Sequence, residues 1–232
     1  MLYPSPIPSI LRHAWAQLTA WHSKITQPAP PIFLVVEGLR DVGFLKWMST
    51  ILHSSDPAIP DLANMEANGR IACIPFGGGD IRPWAFRLAG LNGREVHIYD
   101  RETSPMTEVR EHIARIVNLR PGCRAFVMQR RAIENYLHTD AIFEACGVRI
   151  TFSEQDDVSF ILAQAMYAMQ HPGDTWESLP TSSRRRRLYR TKHLLNTDVV
   201  KRMTLQRLAQ SDPDNEIRTW ITTIGRLATG PC

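Results

Sequence analysis

The sequence predicts an α/β fold: a parallel sheet flanked by helices, with an N-terminal helix and a C-terminal helical region added to it. Three observations predict it. Ile32 to Val36 is a short, wholly apolar run rich in branched residues, which is how a strand buried on both faces reads, and further short strand-like runs follow up to residue 128. Segments with helical spacing fall between those runs, and this alternation argues for parallel strands joined by crossover helices. After Glu134 the strand pattern stops and helical patterns alone continue.

The elements follow in order. Residues 1–31 hold six of the 16 prolines and bracket Ile10 to Ile25, where Leu11, Trp15, Leu18, Trp21 and Ile25 recur at helical steps, so one amphipathic helix is expected there. Ile32 to Val36 is the first strand, ending at Glu37-Gly38. Asp41 then opens a helix whose Phe44, Leu45, Met48, Ile51 and Leu52 share one face. Strands are expected at Ile71–Phe76, Glu95–Tyr99 and Arg124–Met128, and helices at Pro83–Leu91 and Met106–Leu119. Beyond them, Asp140–Cys146, Glu154–Gln170 and Tyr189–Leu208 read as helices, as does the stretch around Asp214 to Leu227. The segment HPGDTWESLPTSS has the composition of a loop. The organisation is thus an extension over 1–30, an α/β core over 31–150, and a helical, basic region over 151–232.

Composition narrows the function classes. Of 232 residues, 44% are hydrophobic and 22% charged, enough for a real core and inconsistent with global disorder. The longest apolar run, Ile32 to Val36, is far short of the roughly 20 residues a membrane helix needs. Neither spanning nor export is expected, and four separated cysteines without a CxxC pair suit a reduced, cytoplasmic protein. Residues 181–232 carry 11 Lys or Arg against 4 acids, a balance of +7 that leaves −3 for the first 180 residues of a chain whose net charge is +4. A mildly acidic body beside a basic region suits a polyanionic partner held near acidic chemistry; an ordinary solvated face is the other reading.

In an open parallel sheet, ligands bind beyond the carboxyl ends of the strands. The first strand delivers Glu37 and, four residues on, Asp41. The third delivers Asp100 and Glu102, whose i, i+2 spacing places both on one side of an extended segment. The fourth is followed by Arg130, Arg131 and Glu134. Carboxylates crowded in a cleft repel one another, and a bound hard cation resolves this; magnesium is the natural choice, with Lys and Arg holding the remaining phosphate charge. Taken singly, Asp41 also suits a helix cap and Asp100 a turn. The glycine turn Gly77-Gly78-Gly79 lets a ligand approach backbone, but its spacing is neither GxGxxG nor that of a P-loop, so the chain is not itself a P-loop ATPase.

The motifs VVEGLRDVGF, IPFGGGD, VHIYDRE and RRAIENYL resemble the Toprim domain. The resemblance is to the version found in nucleases of the overcoming-lysogenization-defect family and in stand-alone Toprim nucleases of anti-phage systems, and it covers roughly Pro31 to Leu137. It implies that Glu37, Asp41 and Asp100 hold metal ions, Mg²⁺ or Mn²⁺ and possibly two of them, with Glu102 and Glu134 completing a second site. It further implies that Lys192 in RTKHLL stabilises the transition-state phosphate. The usual DxD pair is here Asp100-Arg101-Glu102, one methylene longer at its second acid.

The expected function is a metal-dependent endonuclease cutting DNA or RNA, with Arg130, Arg131 and Arg184, Arg185, Arg186 and Arg187 contacting the nucleic-acid backbone. The resemblance implies an anti-phage effector controlled by an ABC-type ATPase partner, with a homodimer also in keeping. The alternatives are primase-like nucleotidyl transfer and a non-catalytic subunit that binds nucleic acid or a protein partner. Trp15 and Trp21 offer a docking or dimer surface.

Overall fold

The structure is a computed structural model that describes residues 32–91 and 93–229. The expected helix at 10–25, with Trp15 and Trp21, lies outside them. Four strands, β1 (Ile32–Val36), β2 (Ile71–Pro75), β3 (Glu95–Tyr99) and β4 (Cys123–Val127), form one parallel sheet in the order β2-β1-β3-β4. The helices are α1 (Leu39–Ser55), α2 (Leu62–Ala67), α3 (Met106–Asn118), α4 (Thr139–Cys146), α5 (Val158–Gln170), α6 (Thr181–Leu194), α7 (Leu205–Ser211) and α8 (Glu216–Thr229). Among the described residues no helix is long and apolar enough to cross a membrane.

Strand period two sorts the sheet's residues between two cores. Ile32, Leu34 and Val36 of β1 and Val96 and Ile98 of β3 share one cluster with Phe44, Leu45 and Met48 of α1 and Ile217, Trp220, Ile221 and Ile224 of α8. Leu162 of α5 and Leu208 of α7 join that same cluster, so the C-terminal helices complete the main core. On the opposite face, Tyr99 and Ala125 pack with Ile113, Ala114 and Val117 of α3. Truncating a fully buried aromatic such as Phe44 to Ala costs about 3–5 kcal/mol in such a core.

The α3 side of β3 also buries a polar ladder. Glu95, His97 and Tyr99 are inaccessible to solvent and sit at alternate positions. Arg120 pairs with both oxygens of Glu95, the His97 Nε2 lies 2.8 Å from Glu95 Oε2, and the Tyr99 hydroxyl lies 2.7 Å from His97 Nδ1. A carboxylate only accepts, so His97 Nε2 is the donor and Nδ1 is left to accept from Tyr99. Burial alone would raise the Glu95 carboxyl, but the bonds from His97 and Arg120 hold it below its ordinary value.

The elements differ from expectation where local chemistry intervenes. The helix expected over Pro83–Leu91 is two 3₁₀ turns, Arg82–Ala85 and Ala89–Leu91; Pro83 lacks an N–H, and Phe86 (φ −130°) interrupts the winding. Helix α5 begins at Val158 because the Asp157 side chain accepts from Phe160 N–H and caps it there. Helix α6 begins at Thr181, immediately after Pro180, so Arg184 to Arg187 are helical. It does not run on to Leu208. A π-turn at Leu195–Val199 and a 3₁₀ turn at Val200–Arg202 end it, and Thr204 caps α7 by accepting from Arg207 N–H.

Candidate functional site

Strand order places the site. The chain passes from β1 to β2 on one side and then returns across β1 to β3, so β1 and β3 are the neighbours at which connection direction reverses. Phe33 lies opposite Glu95 and Val35 opposite His97. Continuing that register sets Glu37 level with Tyr99, one residue before Asp100.

Glu37, Asp100 and Glu102 meet at this crevice, each offering an oxygen within 4.8 Å of the other two, a trio that could hold a metal ion. Glu102 does not reach it on an extended segment. Its backbone is left-handed (φ 60°), and its N–H donates to the Arg131 carbonyl at 2.9 Å, so a turn anchored on the chain after β4 aims the side chain inward. The residue i, i+2 from Asp100 is therefore correctly near it, but through a turn in place of a pleat.

Asp41 and Glu134 stand beside the trio. Gly38 (φ −142°) caps α1, and its N–H donates to Asp41 Oδ2 at 2.7 Å, so the acid serves the helix start while facing the crevice. Burial, then Glu134 and Glu37, push the Asp41 carboxyl up to about 6, against the lowering bond from Gly38 and the charge of Lys192. Asp100 is 3% exposed, and burial followed by the charges of Asp41, Glu37 and Glu134 pushes its carboxyl well above the ordinary range. Its Oδ1 is buried without a hydrogen-bond partner.

Lys192 of α6 enters from the opposite wall, with Nζ 3.6 Å from Glu134 Oε1. Burial alone would lower its ammonium, yet Glu134, Asp100, Asp41 and Glu37 together hold it above its ordinary value. One turn on, Asn196 donates to Glu134 Oε1 at 2.7 Å and to the Lys192 carbonyl at 3.0 Å. The π-turn that begins at Leu195 includes Asn196.

The structure adds Arg110, which the sequence reading passed over. Its buried guanidinium lies 3.2 Å from Glu37 Oε2 and 3.6 Å from Glu102 Oε1. The signal was present: Arg110 stands three residues before Ile113 and seven before Val117, a charge on the buried stripe of α3. Asn196 had no comparable signal, because it depends on the π-turn.

The predicted basic residues divide. Arg130 bonds the Asn135 carbonyl, pairs with Glu154 and covers the Tyr136 ring, so it is committed to the fold. Arg131 lies 3.5 Å from Asp157 but lines the cavity at the trio. Four consecutive helical residues cannot share a face. Arg187 turns to Gln170, His171 and the Tyr167 ring, the Arg184 Nε is buried, Arg186 is exposed, and Arg185 alone of the run lines the cavity.

Gly77, Gly78 and Gly79 all have positive φ (81°, 78° and 81°), conformations that other residues adopt only with strain. Gly77 N–H donates to the Glu37 carbonyl at 2.8 Å, and a Cβ on Gly78 would stand 3.7 Å from Glu37 Oε1. The turn therefore buttresses Glu37. Two cavities flank the carboxylates. One of about 340 Å³ includes Asp100, Glu134, Arg185 and Lys192, and one of about 520 Å³ includes Glu37, Asp41, Gly78 and Lys192. Arg40 and Tyr189 border both.

No protein family, curated protein or solved structure matches this chain.

Proposed function

We propose that this chain is a metal-dependent phosphodiester hydrolase, a nuclease with a Toprim-type core. The observation that supports it most is the meeting of carboxylates from the ends of β1 and β3, with Lys192 facing them across the crevice. The donor set fits a hard divalent cation: it is all oxygen, and it includes a buried Asp100 oxygen without a partner. Glu37, Asp100 and Glu102 would hold the ion. When bound, Mg²⁺ or Mn²⁺ supplies charge to polarise a phosphate oxygen and to make water more acidic.

The chain's own groups supply the remainder. Asp41, beside the trio, can accept the proton of the attacking water at the oxygen opposite its Gly38 bond. The Lys192 ammonium neutralises charge gathering on the phosphoryl oxygens, while Glu134 and Asn196 orient it. One water O–P bond forms and one ester P–O bond breaks, and the leaving oxygen takes a proton from solvent, giving a phosphate monoester and a hydroxyl. Arg131 and Arg185 line the adjoining cavity and suit backbone phosphates. An anti-phage role and an ABC-type ATPase partner rest on the sequence resemblance.

The Arg110 guanidinium favours a second reading. It already offsets the charge of Glu37 and Glu102, as a non-catalytic nucleic-acid-binding subunit would require. One experiment separates the two. Purified protein is incubated with supercoiled plasmid and total RNA, with Mg²⁺ or Mn²⁺, beside Asp100→Asn and Lys192→Ala. Metal-dependent cleavage lost in both variants is expected. No cleavage together with no Mn²⁺ binding by calorimetry would overturn the hydrolase in favour of the binding subunit.

A further inference from the structure

The hydrolase reading leaves unexplained an aromatic ring at the edge of the carboxylates. Tyr189 lies one helical turn before Lys192 on α6, borders both cavities, and is 66% exposed. Its ring carries the Arg40 guanidinium 4.4 Å from the centroid, which fixes it at the mouth of the crevice. An exposed tyrosine held in this way presents a preformed π surface beside the reacting groups.

The 520 Å³ cavity next to it is suited to a neutral planar group. Glu37 and Asp41 line it together with Arg40 and Lys192, so its charges balance and its body suits a neutral group, while Lys192 can meet a phosphate at its edge. Apart from these charged groups, its walls are Tyr189, Leu39, Pro75 and the glycines Gly38, Gly77 and Gly78, which are apolar or uncharged. The volume lies within the roughly 300–1,000 Å³ of small-molecule sites. A nucleobase fits this chemistry, with its own phosphate reaching toward Lys192. Within a duplex each base already stacks on its neighbours, so only an unpaired, unstacked base can offer the ring a face.

We propose that Tyr189, braced by Arg40, stacks a nucleobase in this cavity and makes single-stranded nucleic acid the preferred substrate class. The proposal rests on the hydrolase reading for its phosphate position, and its test is independent of cleavage. A fluorescein-labelled single-stranded 12-mer, as DNA and as RNA, and the matching duplexes are titrated with the full chain in EDTA and followed by anisotropy. Single strands bind more tightly than duplexes, and Tyr189→Ala lowers that single-strand preference by roughly 5- to 150-fold, the range for one base–aromatic stack. Tyr189→Phe retains it, which separates loss of stacking from loss of folding. An unchanged preference in Tyr189→Ala, equal binding of single strand and duplex by wild type, or no binding of single strand overturns the proposal. Cleavage of the same oligonucleotides with Mn²⁺ is read separately and judges the hydrolase alone.

Discussion

Replacing Asp41 by Asn removes a charge that the fold holds at a cost, and the size of the effect follows from the site. The carboxyl ordinarily loses its proton at 3.8 and here keeps it to about 6. At 1.36 kcal/mol for each pH unit, ionised Asp41 costs the folded state about 3 kcal/mol. Asn keeps an acceptor for Gly38 N–H, so the cap survives. Below pH 4 both folded and unfolded wild type are protonated at this position, and the two proteins differ little. Between 4 and 6 the unfolded chain is ionised while the folded chain retains its proton, so wild-type stability falls as pH rises through 6, and above 6 the loss is complete. Asp41→Asn is therefore expected to be more stable by up to about 3 kcal/mol at pH 8 without divalent ions, roughly 6–12 °C in Tm for a domain of this size. Added Mg²⁺ at Glu37, Asp100 and Glu102 stabilises both proteins but narrows the gap, because its charge favours the ionised Asp41 beside it. Urea denaturation from pH 4 to 8, with and without Mg²⁺, measures both effects. A variant no more stable than wild type at pH 8, or a gap that does not grow with pH, would refute the reasoning.

Other perturbations have different signatures. Lys192→Ala should lower cleavage on the order of 10²-fold or more, as loss of one electrostatic stabiliser of a transition state does, with Lys192→Arg partly active in a gel assay. Arg110→Met leaves Glu37 and Glu102 facing each other without their cation; it should cost roughly 1–3 kcal/mol in EDTA, given that both acids keep some solvent, and calorimetry should show part of it restored by Mn²⁺. Gly78→Ala forces a side chain into φ 78° beside Glu37, so about 1–2 kcal/mol of stability should be lost in thermal melts, together with weaker metal binding.

The sheet was legible in the sequence because buried parallel strands are short and bounded by polar turns; the wholly apolar Ile32–Val36 falls where the pattern puts it, and so does Glu95–Tyr99 although it buries Glu95 and His97. The strand ends then locate Glu37 and Asp100. What pattern could not supply was anything decided by a single turn. Glu102 reads as the next residue of an extended run, but its left-handed backbone and bond to Arg131 are tertiary outcomes. The grouping of Glu37 and Asp100 with Glu102 follows from that turn, which leaves Glu134 to Lys192 and Asn196. Arg184 to Arg187 read as one basic run, but helical rotation gives each residue a different neighbour.

The polar ladder inside β3 acts as a ruler for the whole crevice. An apolar strand can slide by a residue and bury nearly as much surface, because Val96 and Ile98 would merely exchange faces with their neighbours. Here a slip would drive Glu95 and His97 among Leu34, Phe44 and Trp220 and strip Arg120 of its partner. That misfolded register would bury an unpaired charge, so it is disfavoured by far more than lost packing. The penalty acts at residues 95–99, but what it protects lies one residue further along: Asp100 arrives beside Glu37 only in the register that the ladder allows.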